Sequence, residues 1–89
     1  MARREVNCII KRPSHYDPHE RIQEIGYKGT WRMAEDDAIK AIEGRTESFY
    51  VNVSGNAVVI IVATHKGRKY LKTENDGYAP NNLLNLTDC

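Results

Sequence analysis

Nine residues near the start of the chain, RPSHYDPHE from Arg12 to Glu20, bring two histidines and two carboxylates together around two prolines. His15, Asp17 and His19 alternate, so an extended backbone would turn all three side chains to one side. Two imidazoles and a carboxylate are a reasonable ligand set for zinc or iron. Their spacing matches none of the recognisable metal motifs, which fix ligands on a helix or in a tight turn. Pro13 and Pro18 lack amide donors and bias their predecessors toward extended geometry. The segment therefore reads as a solvated loop in which Asp17 and Pro18 open a turn. No metal or other cofactor is expected, and His15, Asp17 and His19 stand as the candidate ligands.

A second group lies at HKGRKYLK, His65 to Lys72, where Lys66, Arg68, Lys69 and Lys72 accompany Tyr70 without an acidic residue. Cations at a hairpin tip can neutralise phosphates, and a neighbouring tyrosine can stack on an unpaired base, so these five are the nucleic-acid candidates. The same charges also serve simply to keep a sheet edge from pairing with another chain. The formal net charge of +1, from thirteen basic and twelve acidic residues, supplies no global pull toward nucleic acid. Any such function has to be local. Catalytic patterns are missing: there is no phosphate-cradling glycine loop, no nucleophile elbow and no cysteine activated by a neighbouring histidine. No catalytic residue is assigned, and the chain is expected not to be an enzyme.

The elements that would position these groups follow from hydrophobic spacing. Glu5 to Lys11 has Val6, Cys8 and Ile10 at period two and reads as one strand. Arg21 to Gly26 reads as a second strand. Its Ile22 and Ile25 are three apart, which requires a bulge or partial pairing. From Ala34 to Glu43 the apolar residues fall at helical spacing, with Glu35, Asp36 and Asp37 in the first turn and Gly44 as a left-handed stop. Ile39 and Ile42 form the face that should meet a sheet, and Trp31 should pack under the helix. Phe49, Val51 and Val53 then alternate, a turn follows at Ser54 to Asn56, and the apolar run Ala57 to Ala63 implies a middle strand buried on both faces. Thr64 to Arg68 turns into a last strand, Lys69 to Thr73, and Asn75-Asp76-Gly77 turns again. The expected fold is α+β: a small, mainly antiparallel sheet of four to five strands, order ββαβββ, with one helix on one face.

Eighty-nine residues suit one domain spanning 1–89. The fractions of hydrophobic residues, 40%, and of charged residues, 28%, make an ordinary globular composition. No apolar run is long enough for a membrane helix, and the first residues lack the apolar region of a secretory signal, so a cytoplasmic protein is expected. In that compartment Cys8 and Cys89 would be free thiols, with Cys8 a small core residue.

The block GRKYLKT from Gly67 to Thr73, Asp76-Gly77, PNNLLNL from Pro80 to Leu86 and Cys89 resembles a small bacterial family catalogued as domain of unknown function 3892. Pro18 to Ile22, Trp31, and Ala38-Ile39 to Ile42-Glu43 are similar to its front half. Thr87 stands where that family usually has proline. The resemblance implies a compact domain and carries over no ligand or catalytic residue. Leu83, Leu84 and Leu86 are read as a lid folded over the core, or else as a patch offered to another chain. The expected function is that of a non-enzymatic binding or structural accessory domain, monomer or weak homodimer, with an unidentified protein partner ahead of nucleic acid.

Overall fold

The computed structural model describes residues 2–13, 17–74 and 81–89. His15, the Asn75-Asp76-Gly77 turn and Pro80 lie outside the described residues. The single strand expected over Glu5 to Lys11 is divided into β1 (Ala2–Glu5) and β2 (Cys8–Lys11). Backbone hydrogen bonds mark the division. The Val6 amide donates to the Tyr50 carbonyl at 2.8 Å, and the Asn7 amide, one residue on, donates to the Gly26 carbonyl at 2.9 Å. Those two carbonyls belong to different sheets, so the chain changes sheets between Val6 and Asn7.

Among the described residues there are thus two four-stranded sheets where one of four to five strands was expected. The first has the order β1-β5-β6-β7 and the second β4-β3-β2-β8. Here β3 is Ile22–Tyr27, β4 Trp31–Ala34, β5 Glu47–Val53, β6 Asn56–His65, β7 Arg68–Thr73 and β8 Thr87–Asp88. Helices α1 (Glu35–Glu43) and α2 (Asn81–Leu84) join these strands among the described residues in an α+β fold, so the order ββαβββ is also corrected. The pairs β1 with β5 and β2 with β8 are parallel, and the others are antiparallel.

The isoleucine spacing in β3 is explained by a bulge. Ile10 pairs with Glu24 but Lys11 pairs with Ile22, which leaves Gln23 as an extra residue. That slip lets Ile22 and Ile25, three apart, both enter the core. β4 was missed in the sequence because its four residues alternate only partly. It forms by a turn in which Gly29 has φ 79°, a left-handed value that glycine adopts without strain. The Thr30 amide thereby reaches the Tyr27 carbonyl at 2.9 Å. Trp31 consequently lies on β4, tilted against Phe49 at 5.8 Å.

Strand β6 sits between β5 and β7, a central place in its sheet. Its burial is one-sided, a correction to the expected double burial: Val58, Ile60 and Val62 join the core cluster, whereas Val59 and Ile61 on the alternate face do not. A two-residue turn lies at each end of β6. Ser54-Gly55 and Lys66-Gly67 all have positive φ, the geometry that suits the twist of a tight hairpin.

Helix α1 touches strands of both sheets. Ile39 and Ala38 are buried in the shared core with Val6, Ile9, Phe49 and Leu71. Gly44 is right-handed at φ −81°, and the left-handed position expected of it is taken by Arg45 at φ 57°. The reason is visible in the bonds: the Gly44 amide still donates to the Lys40 carbonyl, so the helix turns out only after it.

The 81–89 segment closes the core. Leu83 is 0% exposed, and Leu84 and Leu86 pack against the same cluster. Full burial of one leucine is worth roughly 1.5–3 kcal/mol. Asn82 Nδ2 donates to Thr73 Oγ1 at 2.8 Å. β8 then runs beside β2, which puts Cys89 against Cys8, and the two form a disulfide with Cα atoms 4.9 Å apart. The expected free thiols are therefore corrected. Closing a loop over a sequence separation of 81 is worth on the order of 4–5 kcal/mol by chain entropy.

Candidate functional site

One polar cluster is assembled from both sheets. It begins at the 3-10 turn Pro18–Glu20, which joins β2 to β3. The Asp17 carboxylate starts that turn by accepting the His19 amide at 2.9 Å, and the Glu20 amide donates to the Asp17 carbonyl at 2.7 Å, the habit of an aspartate at a turn. Arg12 clamps the far side, donating to the Glu20 and Ile22 carbonyls at 2.6 and 2.7 Å. The loop expected here is therefore an ordered turn from Asp17 onward.

His19 is the side chain this turn delivers. Its Nδ1 lies 2.6 Å from Asp17 Oδ1, and because an ionised carboxylate can only accept, Nδ1 carries the proton. The amide and ring bonds from His19 hold the Asp17 carboxyl below its usual range, since both favour the charged form. His19 is only 7% exposed. Its ring lies face to face with His65, centroids 3.8 Å apart and planes at 13°, and Tyr70 meets it edge-on at 5.1 Å.

The Lys66-Gly67 turn explains why His65 arrives there. It closes the hairpin with His65 opposite Arg68, so a docked Arg68 also fixes His65. Arg68 docks twice, donating to the His19 carbonyl at 3.4 Å and to Glu35 Oε1 at 3.0 Å. Glu35, the first residue of α1, is 1% exposed, and Arg12 Nη1 lies 4.0 Å from the same oxygen, Oε1. Burial pushes its carboxyl upward, against the charge and hydrogen bond of Arg68, because desolvation penalises the ionised form. Glu35 Oε2 is buried with no hydrogen-bond partner among the described residues, so the two arginines hold a carboxylate that the fold only partly satisfies. The helix start, the early turn and the late hairpin are thus tied at one point.

The nucleic-acid candidates are differently placed. Lys66 is exposed at the turn tip, whereas Arg68 is bound to Glu35. Lys69 pairs with Glu43 at 2.8 Å, Tyr70 is 4% exposed, and Lys72 is half-buried on β7. Arg3 lies over the Tyr50 ring at 4.5 Å, and Arg4 lies over Trp31 while pairing with Glu47. Among the metal candidates, Asp17 and His19 are brought together, and their companion is His65. Asp17, His19 and His65 each offer one ligand atom, all within 4.8 Å of one another. Glu35 and the His19–His65 contact escaped sequence reasoning. The only local signal was the two-residue turn that sets His65 opposite Arg68.

Fold and site together define a small two-sheet α+β domain with a histidine and aspartate cluster on an arginine-clamped base. The chain belongs to the family described as protein of unknown function DUF3892, whose model matches residues 5–87. No curated protein and no solved structure matches the chain.

Proposed function

We propose that this chain is a non-enzymatic binding domain that engages a protein partner through the face formed by Asp17, His19 and the Lys66-Gly67 hairpin. The observation that carries the reading is the arginine-clamped base: Glu35, Arg12 and Arg68 converge to hold two separate segments in fixed relation, and Asp17 and His65 stand partly exposed above it. His19 has the carboxylate partner of a general base, but its ring is covered by His65 and Tyr70. A base must reach the proton it removes, which supports binding over catalysis.

Two alternatives are less well supported. A leucine patch is disfavoured because Leu83, Leu84 and Leu86 turn to the core, which also supports a monomer. Binding of nucleic acid is disfavoured because Arg68 and Lys69 have carboxylate partners and Tyr70 is too buried to stack on a base. Among the described residues no helix is long and apolar enough to cross a membrane. The Cys8–Cys89 bond weighs against the cytoplasmic location expected from the sequence, because such bonds persist in oxidising compartments.

The test is capture from an extract of the protein's own cells, using the purified chain and its Asp17→Asn, His65→Gln variant, with and without nuclease. Protein capture that survives nuclease and is lost with the variant is the expected result. Capture equal for both chains would overturn the choice of face, and capture abolished by nuclease would favour nucleic acid instead.

A further inference from the structure

The geometry points to a binding site for a divalent late transition-metal ion, of which zinc is the natural probe, with Asp17, His19 and His65 as its protein ligands. This deepens the reading above and rests on it for the location of the binding face.

The argument starts from the donor set. Two imidazole nitrogens and one carboxylate oxygen are ligands of intermediate hardness, suited to zinc, nickel, cobalt or copper and poorly suited to magnesium or calcium, which take oxygen. The three ligand atoms lie within 4.8 Å of one another. Tetrahedral coordination at about 2.0–2.1 Å asks for ligand atoms about 3.3 Å apart. Asp17 Oδ1 and His19 Nδ1, now 2.6 Å apart, are joined by a proton. An ion that replaced that proton would push the pair apart by less than an ångström. The proton therefore marks where the ion would sit.

His65 has further to move. Its ring lies flat on that of His19, so the in-plane lone pairs of the two rings run side by side without converging. Coordination requires His65 to swing out of the stack, and it stands next to the turn at the partly exposed end of β6. Arg68 puts a positive charge nearby, which would oppose a cation. That charge is directed at Glu35, 3.0 Å away and buried, a carboxylate that Arg68 shares with Arg12, so Glu35 offsets only part of the positive charge and the Asp17 carboxylate must supply the rest. Three protein ligands leave a fourth position for water or for a donor group of the partner.

The experiment uses the whole purified chain, stripped with chelator and kept non-reducing so that Cys8 and Cys89 remain bonded. Zinc chloride is titrated while heat and the histidine ring NMR signals are followed, with magnesium chloride as the control ion. One zinc per chain should bind, the His19 and His65 ring signals should shift as their stack opens, and magnesium should do nothing. Asp17→Asn and His65→Gln, each verified as folded by circular dichroism, should weaken zinc binding by on the order of 10–100-fold or more. His15→Gln should leave it unchanged.

The inference is overturned if millimolar zinc moves neither ring signal, if the Asp17 and His65 variants bind as the parent does, or if His15→Gln alone abolishes binding. Failure here with variant-sensitive protein capture would leave the binding face standing without its ion. Zinc binding with capture unaffected by the variants would do the reverse.

Discussion

The two turns at the ends of β6 are built alike and behave differently. Ser54-Gly55 and Lys66-Gly67 are both two-residue turns at positive φ, and each is closed by a pair, Val53 with Asn56 and His65 with Arg68. The first ends in solvent, with Ser54 through Ala57 exposed. The second lies against the Pro18–Glu20 turn and the start of α1, where Arg68 meets Glu35 and His65 meets His19. Equal local geometry thus yields a bare loop at one end and a packed polar cluster at the other. The two ends differ in what each hairpin docks on.

The largest expected effect breaks that docking. Arg68→Met keeps the alkyl stem but leaves Glu35 with Arg12 as its one charged partner, and because the Arg68 side chain is itself 34% exposed the cost should fall below that of a fully buried pair, at about 2–3 kcal/mol. The cost should depend on pH. Burial already raises the Glu35 pKa in the folded protein, so whatever stability this group contributes is present below its unfolded pKa and is lost as pH rises through the folded value. Removing Arg68 raises that folded value further. The variant's deficit should therefore be largest above the folded pKa of Glu35 and shrink as pH falls through it, as measured by urea unfolding of both chains across a pH series. A deficit that grew on acidification would contradict the placement of Glu35.

A smaller pair of changes sharpens the comparison. An added Cβ would meet nothing within 4 Å at either Gly55 or Gly67. Only the left-handed backbone then opposes a side chain, so Gly55→Ala and Gly67→Ala should each cost roughly 1–2 kcal/mol. Their stability losses should be alike. Only Gly67→Ala should disturb the histidine ring signals, and a disturbance from Gly55→Ala would mean that the two ends of β6 are not independent.

The smallest effect is expected from Lys69→Gln. Its bond to Glu43 is exposed on both sides, and such pairs contribute about 0.2–1 kcal/mol. A thermal midpoint within a few degrees of the parent is the expected outcome. A large drop would make Lys69 part of the clamp.

How much of this was legible in the sequence depends on the range of the interaction. The Ile22 and Ile25 spacing announced a bulge or partial pairing, because a regular period-two pattern cannot bury both. Leu83 announced burial because three leucines so close together resist solvation. The division at Val6 and Asn7 left no mark, since alternation is the same whether one sheet or two receives the amides. Glu35 was indistinguishable from Asp36 and Asp37, which are exposed, because all three suit a helix start and only distant Arg68 and Arg12 single one out. Asp17 and His19 were recognised as possible ligands from their neighbourhood. Their companion was assigned to His15, since nothing local connects position 19 with position 65. The Cys8–Cys89 bond was hidden for the same reason, and the assumed compartment pointed away from it.

The account depends most on His65 resting on His19, because that contact joins the two sheets at the cluster and sets up both the binding face and the ion site. It is tested most directly by a two-dimensional nuclear Overhauser spectrum of the unmodified, metal-free chain, with the ring protons assigned by His19→Gln and His65→Gln variants. Cross-peaks between the two imidazoles, with further peaks from His19 to Tyr70, are the predicted result. A His65 ring that shows solvent-like shifts and no contact with His19 would contradict it.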